Sequence, residues 1–347
     1  MFYIHQHSCI SPQQTFPVSR IDDLFDPVDK KLQVIEPSYE QIPPGMLRRM
    51  GKAVRIGVGA ALPLLSHIPV PDGIILGTAN AGKEDCVKFL NQIIEYNEGM
   101  LTPLHFVQGT PNAIASQVGI LTNNHGYNIT HMHLGLAFEN VLTDADMQIA
   151  ENPAAQYLVG AVDDISVYNY YFEDKGGWYK KETVTGKQLY DSGTNGSVAG
   201  EAAAMFIVNG NPAGASAKLL AVNSLHHTDA ELMKHYLRQF IEINLPDGEK
   251  IDLLLSGENG DNRLRGFYEA AEEISGRETA VARFKHMSGE FPTATAMGLW
   301  LCCRFLQGDE IPVHMIKSGK PENGLRNILI YNNYKGIQNS FILVALP

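Results

Sequence analysis

Short, continuously apolar segments alternate with amphipathic segments along this chain, and that alternation limits its fold more than any other feature. Four segments carry apolar residues in succession: 72–78, 156–162, 251–256 and 341–346. Strands of that kind are covered on both faces of their sheet. In 84–96 and 229–243 the apolar residues recur at helical spacing instead. The pattern therefore predicts an α/β protein whose strands lie between layers of helices.

Composition and charge exclude several classes of protein. The 347 residues are 44% hydrophobic and 19% charged, which is enough apolar material for about two domains or two halves of one large fold. A formal net charge of −11 disfavours nucleic-acid binding, because phosphates need a basic face. No apolar run is long enough to span a membrane and no signal peptide is visible. We therefore expect a cytoplasmic protein, with Cys302 and Cys303 as buried thiols.

One segment differs in character from the rest of the chain. Residues 173–200 are polar and contain six glycines, a composition typical of loops. We interpret this segment as an insertion and linker between an N-terminal half, 1–172, and a C-terminal half, 201–347. Within the N-terminal half we expect a helix over 46–62 that ends before Pro63.

Two possible ligand sites are only weakly indicated. Residues 77–83 match Gly-x4-Gly-Lys, but Glu84 follows where a phosphate-binding loop has the Ser or Thr that holds magnesium. A tight strand-to-helix turn is the favoured interpretation. His131 and His133 are two residues apart on an expected strand, yet no third ligand has matching spacing. We predict no cofactor and no metal.

Seven short motifs then follow one another in a specific order: 110–119, 126–133, 159–164, 200–205, Ser256-Gly257, 285–290 and 333–339. In this order and spacing the chain resembles the β-ketoacyl-[acyl-carrier-protein] synthases over most of its length. It is most similar to the divergent branch found with aryl polyene and flexirubin pigment biosynthesis. The most informative motif is Lys-x-x-x-Gly-Glu at 285–290, which resembles the family's Lys-x-x-x-Gly-His.

The resemblance implies a thiolase-like fold, with two similar α/β halves in a five-layer αβαβα arrangement. It also implies a dimer that pairs across the strand near the nucleophile. The expected ligands are acyl carrier protein or an acyl thioester, and the expected partner is a second copy of the chain or a catalytic ketosynthase.

The same resemblance identifies four site positions and shows what has changed at them. His133 stands at the position of the family's nucleophilic cysteine, Ser256 at the first histidine and Glu290 at the second, whereas Lys285 is retained. A synthase needs a cysteine thiolate to hold the acyl chain and two histidines for decarboxylation and oxyanion stabilisation. No cysteine lies between Cys86 and Cys302. Ordinary condensation is therefore not expected.

Three functions remain open from the sequence. The leading hypothesis is a synthase-like subunit without condensing activity, comparable to the chain length factors that pair with an active synthase. A second is an acyltransferase or thioester hydrolase in which His133 and Glu290 act as acid and base. A third is a scaffold that binds an acyl chain in the remaining pocket, unless Phe291 and Trp300 fill that pocket as core aromatics.

Overall fold

The computed structural model describes residues 1–66, 68–276, 278–321 and 324–347. Its strands are β1 Phe2–Ile10, β2 Lys31–Leu32, β3 Gly73–Gly77, β4 Tyr127–His131, β5 Tyr157–Asp163, β6 Ala199–Gly200, β7 Ala202–Asn209, β8 Ala217–His226, β9 Leu253–Ser256, β10 Ala280–Arg283, β11 Ile316–Ser318, β12 Asn327–Tyr334 and β13 Gln338–Ala345. Its helices are α1 Pro44–Leu47, α2 Lys52–Leu65, α3 Lys83–Glu95, α4 Pro103–Gln108, α5 Ala113–Thr122, α6 Ala137–Glu151, α7 Val167–Lys175, α8 Ala230–Asn244, α9 Arg265–Ser275, α10 Lys285–Ser288 and α11 Thr295–Leu306. Short 3-10 helices lie at Leu134–Leu136, Asn262–Leu264 and Val313–Met315.

The strands form two sets with the same topology. One set runs β4-β3-β5-β7-β1 and the other runs β10-β9-β12-β13-β8, so each set has its own strands in the order 3-2-4-5-1. In both sets the three strands at the outer end, β4-β3-β5 and β10-β9-β12, are parallel to one another. The next strand, β7 or β13, is antiparallel to both of its neighbours. β1 pairs with β8 at Phe2–Ile4 and joins the sets. The prediction of two similar halves is confirmed.

Helices cover both faces of each set of strands. Successive residues of a strand point to opposite faces of the sheet, so each strand contributes apolar side chains to two helical layers. Ile75 packs in the central cluster between α6 and α11, whereas its neighbours Ile74 and Leu76 pack against α2 and α5. In the second set Leu253 faces the central cluster and Leu254 faces α8 and α9. The layers are therefore αβαβα, as expected.

The boundary between the halves differs from the predicted one. β7 was predicted to belong to the C-terminal half, but it pairs with β1 and β5 of the first set. The second set begins with β8 at Ala217, so the chain crosses between halves in 210–216. The predicted linker 173–200 contains the end of α7 and strand β6, which pairs with β2.

The helix predicted over 46–62 was wrong at both ends. Pro44 begins a separate turn of helix, α1, and the main helix α2 starts at Lys52 after an extended Gly51. Pro63 does not end α2, which continues to Leu65. Pro63 has no N–H to donate to the carbonyl of residue 59, and the helix continues past it for two residues, Leu64 and Leu65. None of the described helices is long and apolar enough to cross a membrane.

Candidate functional site

Two glycines bring Lys285 and Glu290 into position after strand β10. Lys285 begins the four-residue helix α10, and Gly289 follows it with φ +71°. A Cβ atom at Gly289 would lie 2.5 Å from the Cα of Gly200, so neither position tolerates a side chain. This close approach lets the N–H of Glu290 donate to the carbonyl of Val198 at 2.7 Å.

The side chains of Lys285 and Glu290 form a closed ion pair. The Lys285 Nζ is completely buried and lies 2.8 Å from Glu290 Oε1. The second oxygen, Oε2, accepts a hydrogen bond from Asn259 Nδ2 at 2.6 Å. The Asn259 carbonyl in turn accepts from Ser197 Oγ at 2.6 Å. Both carboxylate oxygens of Glu290 are therefore occupied, and a buried charge of this kind is stable because it is paired.

The cavity beside this pair is very small. Its volume is about 30 Å³, and Glu290, Phe291, Tyr334 and Asp164 are among its lining residues. That space holds about one or two water molecules. Phe291 is 5% exposed and fills part of the region, whereas Trp300 packs in the central core. Of the two aromatics predicted to close the pocket, Phe291 alone lines it.

One carboxyl group of the cavity has an unusual pKa. Burial, followed by the negative charges of Glu201 and Asp163, raises the pKa of Asp164 to about 7. Desolvation disfavours the charged form, and like charges nearby add to the effect. Asp164 therefore keeps a proton at pH values at which an exposed aspartate has lost it.

His133 lies apart from the ion pair. It is exposed in the turn between β4 and α6, and its Nδ1 is 3.1 Å from Asn140 Nδ2. Leu134 follows with φ +48°, a strained value for a branched residue, which marks the sharp turn into the helix. Among the described residues, no hydrogen bond or ion pair joins His133 to Lys285, Glu290 or Ser256.

Ser256 is also separate from Glu290. It is the last residue of β9, it is buried, and its Oγ accepts from the N–H of Glu258 at 3.2 Å. The residue of this loop that reaches Glu290 is Asn259, three positions later. The structure thus brings together Lys285 and Glu290 of the four predicted residues and adds Asn259, which sequence reasoning missed.

The turn at 77–83 does not offer free amides to a phosphate. The N–H groups of Ala79 and Asn80 donate to Asp163 Oδ1 at 2.9 and 2.7 Å. The Asp163 carboxylate is completely buried and also accepts from Thr78 and Thr293. An internal carboxylate therefore occupies the place that a phosphate would take, which agrees with the tight-turn interpretation.

The histidine pair at 131 and 133 is divided between different partners. His131 Nε2 lies 2.8 Å from Asp144 Oδ2, whereas His133 contacts Asn140. In the parts of the chain that the structure describes, no group of three His, Cys, Asp or Glu side chains is arranged to hold a metal.

Comparison with known proteins finds matches among solved structures but none by sequence. No family model matches the chain, and no curated protein matches its sequence. Several solved structures match over its whole length. A β-ketoacyl synthase from Burkholderia phymatum superimposes with a TM-score of 0.77 at 14% identity, covering 100% of this chain and 99% of the other.

The fold is that of the ketosynthases. The complex of the ketosynthase ApeO with its chain length factor ApeC from Xenorhabdus doucetiae matches with a TM-score of 0.75 at 11% identity, covering 100% of this chain and 98% of the other. The ishigamide ketosynthase/chain length factor matches with a TM-score of 0.74 at 14% identity over 100% and 99%. The predicted thiolase-like fold is confirmed. Identities this low leave activity to be argued from the site itself.

Proposed function

We propose that this chain is a ketosynthase-like subunit without condensing activity, which acts as a chain-length-factor-like partner of an active synthase in fatty acid or aryl polyene-type polyketide biosynthesis. The observation that carries the proposal is the closed Lys285–Glu290 pair beside a cavity of about 30 Å³. A carboxylate there repels a developing enolate instead of stabilising it. Two of the matching structures contain a ketosynthase and a chain length factor, which supports the partner role.

The distribution of thiols supports the absence of condensation. Cys9, Cys302 and Cys303 are completely buried, and burial raises the pKa of each thiol. The exposed Cys86 lies on the outer helix α3. A thiolate nucleophile needs a lowered pKa and access to substrate. Buried, protonated thiols also suit the reducing cytoplasm in which we place the protein.

Neither alternative function has comparable support. A hydrolase that uses His133 and Glu290 needs both groups at one reacting atom, but His133 contacts Asn140 and Glu290 is held by Lys285 and Asn259. A scaffold that holds an acyl chain at this site needs far more space than one or two water molecules occupy.

Intact-mass spectrometry after incubation with acyl and malonyl carrier protein tests the proposed function. We expect no acyl adduct on this chain and no decarboxylated malonyl carrier protein when it is alone. With a catalytic ketosynthase we expect a change in product chain length. The synthase alone is the positive control, because its cysteine acquires the acyl mass. An adduct on this chain, or decarboxylation without the partner, would show that it is an enzyme.

The surface near β4 is suited to a partner subunit. β4 is the last strand of its set and has β3 as its one neighbour among the described strands. Large apolar side chains are exposed on β4, on the turn that follows it and on α5, which packs against it: Tyr127, Met132, Leu134 and Ile120. Exposed apolar surface next to an open strand edge is typical of protein interfaces.

Alternation along β4 identifies which backbone groups face the open edge. The N–H of Tyr127 donates to the carbonyl of Asp72, and the carbonyl of His131 accepts from Thr78, so these positions bond toward β3. In a parallel ladder the intervening residues direct their N–H and C=O groups to the other side. Thr130 therefore presents its N–H at the open edge.

A Thr130→Pro substitution is expected to weaken subunit association about tenfold, because it removes that edge N–H without interrupting the bonds to β3. Thr130→Val is the matched control: both variants lose the hydroxyl that donates to Asn112 Oδ1, but valine keeps the N–H. Sedimentation of each variant alone and mixed with a catalytic ketosynthase measures the effect. Equal association of the two variants would exclude pairing through β4.

A further inference from the structure

A second, larger cavity lies at the carboxyl ends of β9 and β10, next to the loop that carries Asn259 but without Lys285 or Glu290 in its lining. Its volume is about 340 Å³, and its lining is mainly polar. The loop after β9, strands β10 and β11 and the segment around Tyr190 form its walls. Pockets at the carboxyl ends of parallel strands are common ligand sites in α/β proteins.

Arg283 is the residue of this cavity whose binding capacity is least used. Its guanidinium stacks on the ring of Tyr190, with 3.7 Å between the guanidinium carbon and the ring centroid. The side chain is 18% exposed, and its ion pair with Glu258 is a long one, 3.6 Å from Nη1 to Oε1. The Nε atom is buried without a hydrogen-bond partner, and no described residue accepts a hydrogen bond from this guanidinium.

Arg283 therefore has hydrogen-bond donors without acceptors. A guanidinium carries five N–H donors in a planar fork, and leaving buried donors unpaired costs free energy. Stacking on Tyr190 covers one face of the group and fixes its plane. It leaves the exposed part of the side chain, and not the buried Nε, to meet an acceptor in the cavity. Planar or tetrahedral groups with paired oxygens are the acceptors that match such a fork.

The other charges of the cavity are largely neutralised by their own partners. Glu258 pairs with Lys317 at 2.8 Å, and Asp261 pairs with Arg263 at 2.5 Å. Arg265 pairs with Glu269 at the surface. Lys317 also binds Glu272 at 2.6 Å. The carboxylate of Asp191 lies at the exposed rim. An incoming anion therefore meets Arg283 as the cation with unused donors and finds the nearest carboxylates already paired.

We propose that this cavity binds a small anion, a carboxylate or a phosphate group, through the guanidinium of Arg283, with Tyr190 as the surface that holds the guanidinium in place. The proposal does not depend on the function of the Lys285–Glu290 pair, since a subunit with or without condensing activity would bind the anion equally.

Isothermal titration of the full-length chain with sodium phosphate and with sodium acetate, at constant ionic strength against sodium chloride, tests the proposal. We expect at least one of the two anions to bind with a dissociation constant of about 1 mM or tighter. The tighter of the two anions then shows whether the cavity prefers a phosphate group or a carboxylate. Failure of both to bind better than chloride would overturn it.

Three variants identify the residue responsible. Arg283→Met is expected to abolish binding, and Arg283→Lys to weaken it about tenfold, because lysine keeps the charge but not the planar fork. Arg265→Met is the matched control on the same cavity and is expected to bind as the wild type does. If Arg283→Met does not fold, Arg283→Lys still decides the question. Unchanged affinity in Arg283→Lys and Arg283→Met, or equal loss in Arg265→Met, would contradict the assignment.

Discussion

A Lys285→Met variant is expected to lose about 3–5 kcal/mol of unfolding free energy, the cost typical of breaking a buried ion pair by removing one partner. The Lys285 Nζ is completely buried, and Glu290 is only 12% exposed. The lysine charge also acts on Glu139, whose pKa burial raises and Lys285 lowers. Loss of the lysine would therefore leave one carboxylate unpaired and make another more costly to ionise.

The double variant Lys285→Met/Glu290→Gln separates pairing from simple burial. Removing both charges leaves no uncompensated ion, so we expect the double variant to be more stable than the sum of the two single effects predicts. Unfolding in urea, followed by tryptophan fluorescence, measures all four proteins of the cycle. Lys234→Met is the surface control: its pair with Glu273 is 2.7 Å long, but Glu273 is 67% exposed, so we expect a loss below about 1 kcal/mol. Additive effects of Lys285 and Glu290 would show that they do not interact.

The layered fold was predictable because the burial of each strand and helix is visible in the order of apolar and polar residues within that segment. Continuous apolar strands such as 72–78 and 251–256 correctly indicated coverage on both faces, and the helical spacing in 229–243 corresponds to α8, Ala230–Asn244. The sheet partner of β7 was not predictable in this way. The glycine-rich segment before it was read as a boundary, yet β7 pairs with β1, about two hundred residues earlier. Pairing between strands so far apart depends on the topology of the whole fold, and no pattern within either strand indicates its partner.

The site shows the same division between local and distant information. Lys285 and Glu290 were predicted to share one site because they lie within six residues of sequence. The turn at Gly289 then brings their side chains together. Asn259 was missed because the loop after β9 has several polar residues, and the fold alone decides which one reaches Glu290. The adjacent acids Asp163 and Asp164 were a signal that sequence reasoning did not use. Two neighbouring carboxylates after a buried strand indicate that at least one is either strongly hydrogen-bonded or protonated.

A second large effect is expected at acid pH from a chain of hydrogen bonds through two histidines. His314 Nε2 lies 2.8 Å from the carbonyl of Ile21, and His286 Nε2 lies 2.8 Å from His314 Nδ1. Tyr190 OH lies 2.9 Å from His286 Nδ1. With both rings neutral, every donor in this chain meets an acceptor. Burial, then the electrostatic effect of His314 and of the Arg283 guanidinium, lowers the pKa of His286 from 6.5 to about 3.

The sign of the pH dependence follows from that lowered pKa. The unfolded chain takes up a proton at His286 near pH 6.5, whereas the folded protein resists it until about pH 3. The stability that the neutral ring contributes is therefore complete above pH 6.5 and is lost as the pH falls toward 3, at up to about 1.4 kcal/mol per pH unit. A His286→Gln variant has no group to titrate there. The stability difference between wild type and this variant should decrease steadily as the pH falls through that range.

Asp164 is expected to act in the opposite direction, so the two residues must be measured separately. Its pKa is about 7 in the folded protein and 3.8 in the unfolded chain. Its contribution to stability is therefore complete below pH 3.8 and is lost as the pH rises to about 7. Relative to Asp164→Asn, the wild type should gain stability on acidification, while relative to His286→Gln it should lose stability. Because the two slopes have opposite signs, the pH dependence of the wild type alone would not separate them. Urea unfolding of the three proteins between about pH 4 and pH 8 decides the matter. Slopes of the same sign for both comparisons would contradict either the neutral His286 ring or the protonated Asp164 carboxyl.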